Sequence, residues 1–109
     1  MTETAKKYPN LVLLESGGQS HERRDLPVLR ISKNNGQSAR SIVVDAGIHA
    51  REWIAPPVAI YLIQQLTEFA ASNGALLDDL DWNIMPLVNP DGYEYSHTIV
   101  SINNIGPYF

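Results

Sequence analysis

His49 and Glu52 stand three residues apart in Gly47-Ile48-His49-Ala50-Arg51-Glu52-Trp53, directly after the apolar run from Ser41 to Ala46. An imidazole nitrogen and a carboxylate oxygen aimed at one point are donors that a catalytic zinc takes. The context is a buried strand giving way to a helix. Three-residue spacing in a first helical turn brings two side chains together. In open α/β sheets, ligands gather beyond the carboxyl ends of the strands, and His49 falls at such an end. Arg51 lies between the two. It suits either a salt bridge or a bidentate contact with an anionic substrate group. Spacing alone does not establish a metal site, because a His in His-x-x-Glu usually makes an ordinary hydrogen bond. A catalytic zinc also takes three protein ligands. His21 falls in a charged, solvated loop and His97 reads as structural, so no convincing third ligand follows from the sequence.

The elements that must hold the pair follow from the apolar pattern. Leu11 to Ser16 and Leu26 to Ser32 read as two strands, close enough in sequence to pair as an antiparallel hairpin. Pro27 argues for a sheet edge or a strand start. Asn35-Gly36 marks a turn. Ser41 to Ala46 reads as a third strand. Its Ile42-Val43-Val44 core is apolar on both faces and predicts a central strand covered on both sides. Glu52 to Ser72 carries a helical pattern, with Ile54, Val58, Leu62, Leu66 and Phe69 on the expected core face. Pro56 and Pro57 predict an irregular start, and Asn73-Gly74 a C-cap. Trp82 to Val88 reads as a fourth strand, so strand-helix-strand predicts a right-handed crossover and a parallel pair. Asn89-Pro90-Asp91-Gly92 reads as a turn. Tyr93 and Tyr95 then alternate as strand residues would. Trp53 is expected to pack beneath the site, and Asp45 to support the strand end.

Composition bounds the class. The chain has 109 residues, enough for one domain, and 44% of them are hydrophobic. The net charge of −4, with no basic patch, argues against nucleic acid and anionic membrane as partners. With no cysteine, a disulfide framework and thiolate metal sites are excluded. The N-terminus lacks an apolar signal segment, and no stretch predicts a membrane-spanning helix.

Two motifs in order carry a resemblance. Gly47 to Ile54, followed by Asn89-Pro90-Asp91-Gly92-Tyr93-Glu94-Tyr95, closely resembles the zinc metallocarboxypeptidases of the carboxypeptidase A/B type. Tyr8-Pro9-Asn10-Leu11 is similar to the same family. So is Gly18-Gln19-Ser20, with Arg23 or Arg24 a few residues on. The resemblance covers roughly residues 5 to 98. It implies an α/β fold: a partial mixed sheet of about four strands with one long crossover helix, a fragment of the family's eight-stranded sheet. It implies zinc as cofactor, His49 and Glu52 as its first two ligands, and Arg51 as a substrate-groove arginine. The implied reaction is hydrolysis of the C-terminal residue of peptides or proteins, in an extracellular setting.

The same resemblance places the third ligand, a histidine, beyond Phe109, together with a general-base Glu, a Tyr and an Asn-Arg carboxylate clamp. It also places an oxyanion arginine near Asn104, whereas no arginine follows Arg51. Residues 1 to 98 therefore read as the N-terminal portion of a catalytic domain, and 99 to 109 as a divergent apolar tail. The expectation is a truncated domain, inactive by itself. The rivals are an inactive peptide- or partner-binding module and a non-functional product. A missing sheet partner and the uncharged tail further predict self-association.

Overall fold

The computed structural model describes residues 1–99. The elements are α1 (Thr2–Lys7), β1 (Val12–Gln19), β2 (Asp25–Ile31), β3 (Arg40–Asp45), α2 (Ala55–Thr67), α3 (Ala70–Asn73), a 3-10 turn (Gly74–Leu77), β4 (Leu80–Met85) and α4 (Pro90–Ile99). The four strands form one mixed sheet in the order β1-β2-β4-β3. β1 and β2 pair antiparallel, as do β2 and β4, while β3 and β4 run parallel. The antiparallel hairpin and the parallel pairing of β3 with β4 thus agree with expectation. The tail expected from residue 99 onward lies, after α4, outside the described residues.

Side-chain alternation puts one face of this sheet against α2. Leu29 stands opposite Leu14 on one side and Ile84 on the other, and Ile31 stands opposite Val12 and Trp82. Leu29, Ile31 and Ile84 are fully buried, together with Leu66 and Leu77 from the crossover. The same face continues into β3, where Val44 stands beside Ile84 and Ile42 beside Trp82. The other face carries a polar row. Arg30 donates to Glu15 and to Asn83, and Asn83 donates to Ser41.

Several expectations need correction. β3 is an edge strand among the described residues, not a covered centre, and Val43 is 75% exposed. Its apolar pattern states what it needs to bury, not what the described residues supply. α2 turns Ala59, Ile63 and Leu66 to the sheet, and leaves Ile54, Val58 and Phe69 exposed. The reason is that residues 58 to 63 are apolar without a break, so periodicity cannot single out a face. The crossover is also three pieces rather than one helix. Asn73 folds back and donates its side-chain amide to the Gln65 carbonyl near the end of α2. Gly74 has helical φ −59 and is not a left-handed cap.

Three further differences have local causes. β1 does not end at Ser16 but runs on through a bulge to Gln19. A Cβ on Gly17 would lie 2.7 Å from the Met85 side chain, so glycine permits that approach. Pro27 sits in an inner strand, yet β4 pairs only with Leu29 to Ile31. Pro27 therefore faces β1 alone and costs the second ladder nothing. Finally, Asn89 to Gly92 opens a helix and not a turn followed by a strand. The Gly92 N–H donates to Asn89 Oδ1 at 2.9 Å, Pro90 takes the first helical position, and Asp91 adds negative charge to the first turn.

The face assignment makes a mutational prediction. Ile84→Ala should destabilise the chain by about 2–5 kcal/mol in urea unfolding, the usual cost of emptying a packed site. Val43→Ala should change stability by less than about 0.5 kcal/mol, as exposed substitutions do. Equal losses at the two positions would contradict the arrangement.

Candidate functional site

The β3–β4 ladder does not stop where the strands do. The Ala46 N–H donates to the Met85 carbonyl at 3.1 Å, Val88 N–H to Ala46 at 2.9 Å, and Asn89 N–H to Gly47 at 3.1 Å. Gly47 then bends the chain with φ +69, and a Cβ there would lie 2.6 Å from a Leu87 methyl. Only glycine meets both conditions. Beyond it, Glu52 N–H donates to the His49 carbonyl at 3.2 Å, which closes a tight turn. α2 starts at Ala55, with proline among its first positions, so this turn precedes the helix instead of forming its first turn.

The turn performs the convergence that the spacing suggested. His49 Nδ1 and Glu52 Oε1 are 3.0 Å apart, with their side chains 69% and 59% exposed. Two donors on one tetrahedral ion at ~2.0–2.2 Å stand roughly 3.3 Å from each other. The observed pair therefore needs to open by only a few tenths of an ångström to share an ion. The two atoms are within hydrogen-bond distance of each other, and a metal ligand must be free of its proton to bind. Among the described residues, no three His, Cys, Asp or Glu side chains converge as a metal site. Arg51 is exposed between the two. His21 is exposed in its loop, as expected.

Two polar side chains whose contacts the sequence did not foretell lock the turn. Asn89 donates its side-chain amide to the Ile48 carbonyl at 3.0 Å while its oxygen caps α4. Ser96, buried in α4, accepts the Trp53 indole N–H at 2.9 Å. Its own proton lies within reach of the Ala50 carbonyl at 3.0 Å and the Tyr93 carbonyl at 2.7 Å. Trp53 also stacks on His97, with ring centroids 4.3 Å apart. His97 Nδ1 lies 2.8 Å from the Tyr93 carbonyl, so this nitrogen carries the proton and is engaged within its own helix. Trp53 therefore ties the turn to α4.

α4 is itself fastened to the β1–β2 connector. Asp91 accepts hydrogen bonds from Ser20 at 2.7 Å, from the Glu22 N–H at 3.0 Å and from Arg24 at 2.6 Å. The Gln-Ser-x-x-x-Arg and Asn-Pro-Asp-Gly segments, far apart in sequence, meet at this carboxylate. Arg24, not Arg23, makes the contact. Partial burial alone would push the Asp91 carboxyl up, but the Glu22 N–H, the Ser20 hydroxyl and the Arg24 guanidinium outweigh it and hold it below the usual range. A carboxylate depressed on folding stabilises fully above its unfolded pKa of about 3.9, and that contribution disappears as pH falls through the lower folded value. Carboxyl chemical shifts should show Asp91 titrating below that unfolded value. Arg24→Ala should move the titration upward. An Asp91 midpoint that does not respond to Arg24 would contradict the clasp.

Beside the turn, a cavity of about 360 Å³ lies between the end of β3 and α2. His49 and Glu52 line one end, and Val44, Ala46, Val58 and Leu62 make it apolar.

Comparisons with known proteins agree with this geometry. The zinc carboxypeptidase family matches residues 1–106. Carboxypeptidase B of Helicoverpa zea is 40% identical over 95 residues, which are 85% of this chain and 22% of that protein. The inactive metallocarboxypeptidase ECM14 of Saccharomyces cerevisiae is 39% identical over 97 residues, covering 84% of this chain and 23% of that one. The crystal structure of carboxypeptidase A from Helicoverpa armigera superposes with a TM-score of 0.80 at 35% identity, over 88% of this chain and 24% of that chain. The chain thus spans about a quarter of the length of the relatives it matches. A family match along nearly the whole chain, with relatives at these identities and a shared fold, places the chain in the zinc carboxypeptidase family.

Proposed function

We propose that His49 and Glu52 are two protein ligands of a zinc ion, and that Arg51 lines the groove in which a peptide substrate lies. The observation that carries this reading is the 3.0 Å approach of Nδ1 to Oε1 on a turn held at the carboxyl end of β3. Bound there, zinc supplies a polarised carbonyl and an acidified water. The chain's own residues do the positioning. Asn89 and Ser96 fix the carbonyls at Ile48 and Ala50, which brackets His49 from both sides. The Arg51 guanidinium is suited to a carboxylate or carbonyl of the substrate.

The activity of a whole domain built on this site is the removal of the C-terminal residue from peptides or proteins, in an extracellular setting. This chain alone is inactive in hydrolysis. Among the described residues the zinc pair has no third donor close by. A second reading, a peptide- or partner-binding module, is favoured by the inactive metallocarboxypeptidase among the relatives. Among the described residues no helix is long and apolar enough to cross a membrane.

Calorimetry separates the elements of this proposal. Zinc should bind the full chain weakly, with His49→Ala and Glu52→Ala each lowering affinity at least about tenfold. His97→Ala should leave it unchanged. Tight binding indifferent to His49→Ala, or binding lost with His97→Ala, would overturn the ligand assignment. The zinc-loaded chain should show no turnover of peptides ending in Phe or Arg. Turnover abolished by Glu52→Ala would overturn the claim of inactivity, because the barrier would then be met without a separately positioned base and clamp.

A further inference from the structure

We propose that Asn35 is a site of spontaneous, intramolecular modification, at which the side-chain amide is converted through a cyclic imide to aspartate and isoaspartate. The reaction needs an asparagine whose following residue leaves its backbone nitrogen open to approach. Glycine, with no Cβ, does so. The chain holds two Asn-Gly pairs, Asn35-Gly36 and Asn73-Gly74. The fold treats them in opposite ways, and that difference selects the site.

Asn35 lies in the connector between β2 and β3. It is exposed, and its side chain has no hydrogen-bond partner among the described residues. The backbone is left-handed at both residues of the pair, with φ 53 at Asn35 and 75 at Gly36. One tie holds the reactive nitrogen: the Gly36 N–H donates to Ser32 Oγ at 2.9 Å. Asn34 is not equivalent. Its amide donates to Ser38 at 3.3 Å, and the residue after it carries a Cβ. Asn73 is fastened. Its amide donates to the Gln65 carbonyl and to the Gln65 side-chain oxygen, both at 3.1 Å. It closes α3, and Gly74 continues into the 3-10 turn. Ring closure there has to break both side-chain bonds and the helical turn.

The chemistry needs only water. The Gly36 nitrogen gives its proton to hydroxide and attacks the Asn35 side-chain carbonyl carbon. The new C–N bond closes the imide. The bond from that carbon to Nδ2 breaks, and Nδ2 takes a proton from water and leaves as ammonia. Water then opens the imide at one of its two carbonyls. Opening at the side-chain carbonyl gives aspartate. Opening at the backbone carbonyl leaves the chain running through Cβ, as isoaspartate. Either product puts a carboxylate where a neutral amide stood. Arg30 is its neighbour: it lines the same cavity of about 150 Å³ as Asn35, and its guanidinium lies 3.1 Å from where a Cβ on Gly36 would stand. The new carboxylate therefore competes with Glu15 for Arg30. Isoaspartate also adds a backbone atom between Asn34 and Gly36, whose N–H groups share Ser32 Oγ as acceptor.

Peptide mapping of the full chain after incubation in mildly alkaline buffer reads both pairs in one sample. Loss of ammonia with gain of water marks conversion, and separation of the isomeric peptides shows isoaspartate. Hydrogen bonds that must open first slow the reaction, so Asn35 should convert at least about tenfold faster than Asn73. The rate at Asn35 should rise with pH, because hydroxide removes the Gly36 proton. In concentrated urea, where both pairs lose their surroundings, the two should convert at similar rates. Absence of conversion at Asn35 in native buffer would overturn the proposal. So would conversion of Asn73 as fast as Asn35 there, or an equal preference for Asn35 that persists in urea, since the fold would then play no part.

Discussion

The parallel ladder between β3 and β4 is the constraint on which the rest depends. It continues past both strands, through Ala46 and Gly47, to Asn89. This continuation delivers the chain to His49 at a defined height above the sheet. It also delivers Asn89 to the start of α4. One set of backbone hydrogen bonds thus sets the site turn and the helix that braces it. Parallel strands require a crossover, and here that crossover is α2, whose Ala59, Ile63 and Leu66 close the core beneath the ladder.

The bracing works through backbone carbonyls. Asn89 binds the carbonyl of Ile48 and Ser96 reaches that of Ala50, on the two sides of His49. Trp53, stacked on His97, fixes the far end of the turn. Asp91 then pins α4 to the connector between β1 and β2. Each link is one hydrogen bond, ion pair or ring contact of modest strength. Together they leave the turn few ways to move. That matters for a site of two exposed side chains, because positioning determines whether their donors meet.

Much of this architecture is legible in the sequence, and the failures have physical causes. The hairpin, the parallel crossover and the convergence of His49 with Glu52 all follow from local pattern. The position of β3 does not. A strand apolar on both faces reports what it would bury, and among the described residues Val43 stays exposed. The core face of α2 was lost because residues 58 to 63 are apolar all round the helix. Asn-Pro-Asp-Gly suits a turn and a helix start equally, and the alternation of Tyr93 with Tyr95 favours a strand over the helix that forms. Without α4, the sequence offers no basis for the roles of Asn89 and Ser96, nor for the contact of Arg24 with Asp91.

The central claim is that the ladder presents His49 Nδ1 and Glu52 together to one zinc ion. Nitrogen-15 spectra of the three imidazoles during zinc titration of the full chain test it most directly. The account predicts that Nδ1 of His49 responds first, and that Asn89→Ala, which frees the Ile48 carbonyl, blunts the response. A first response at His49 Nε2, or at His21 or His97, would contradict it.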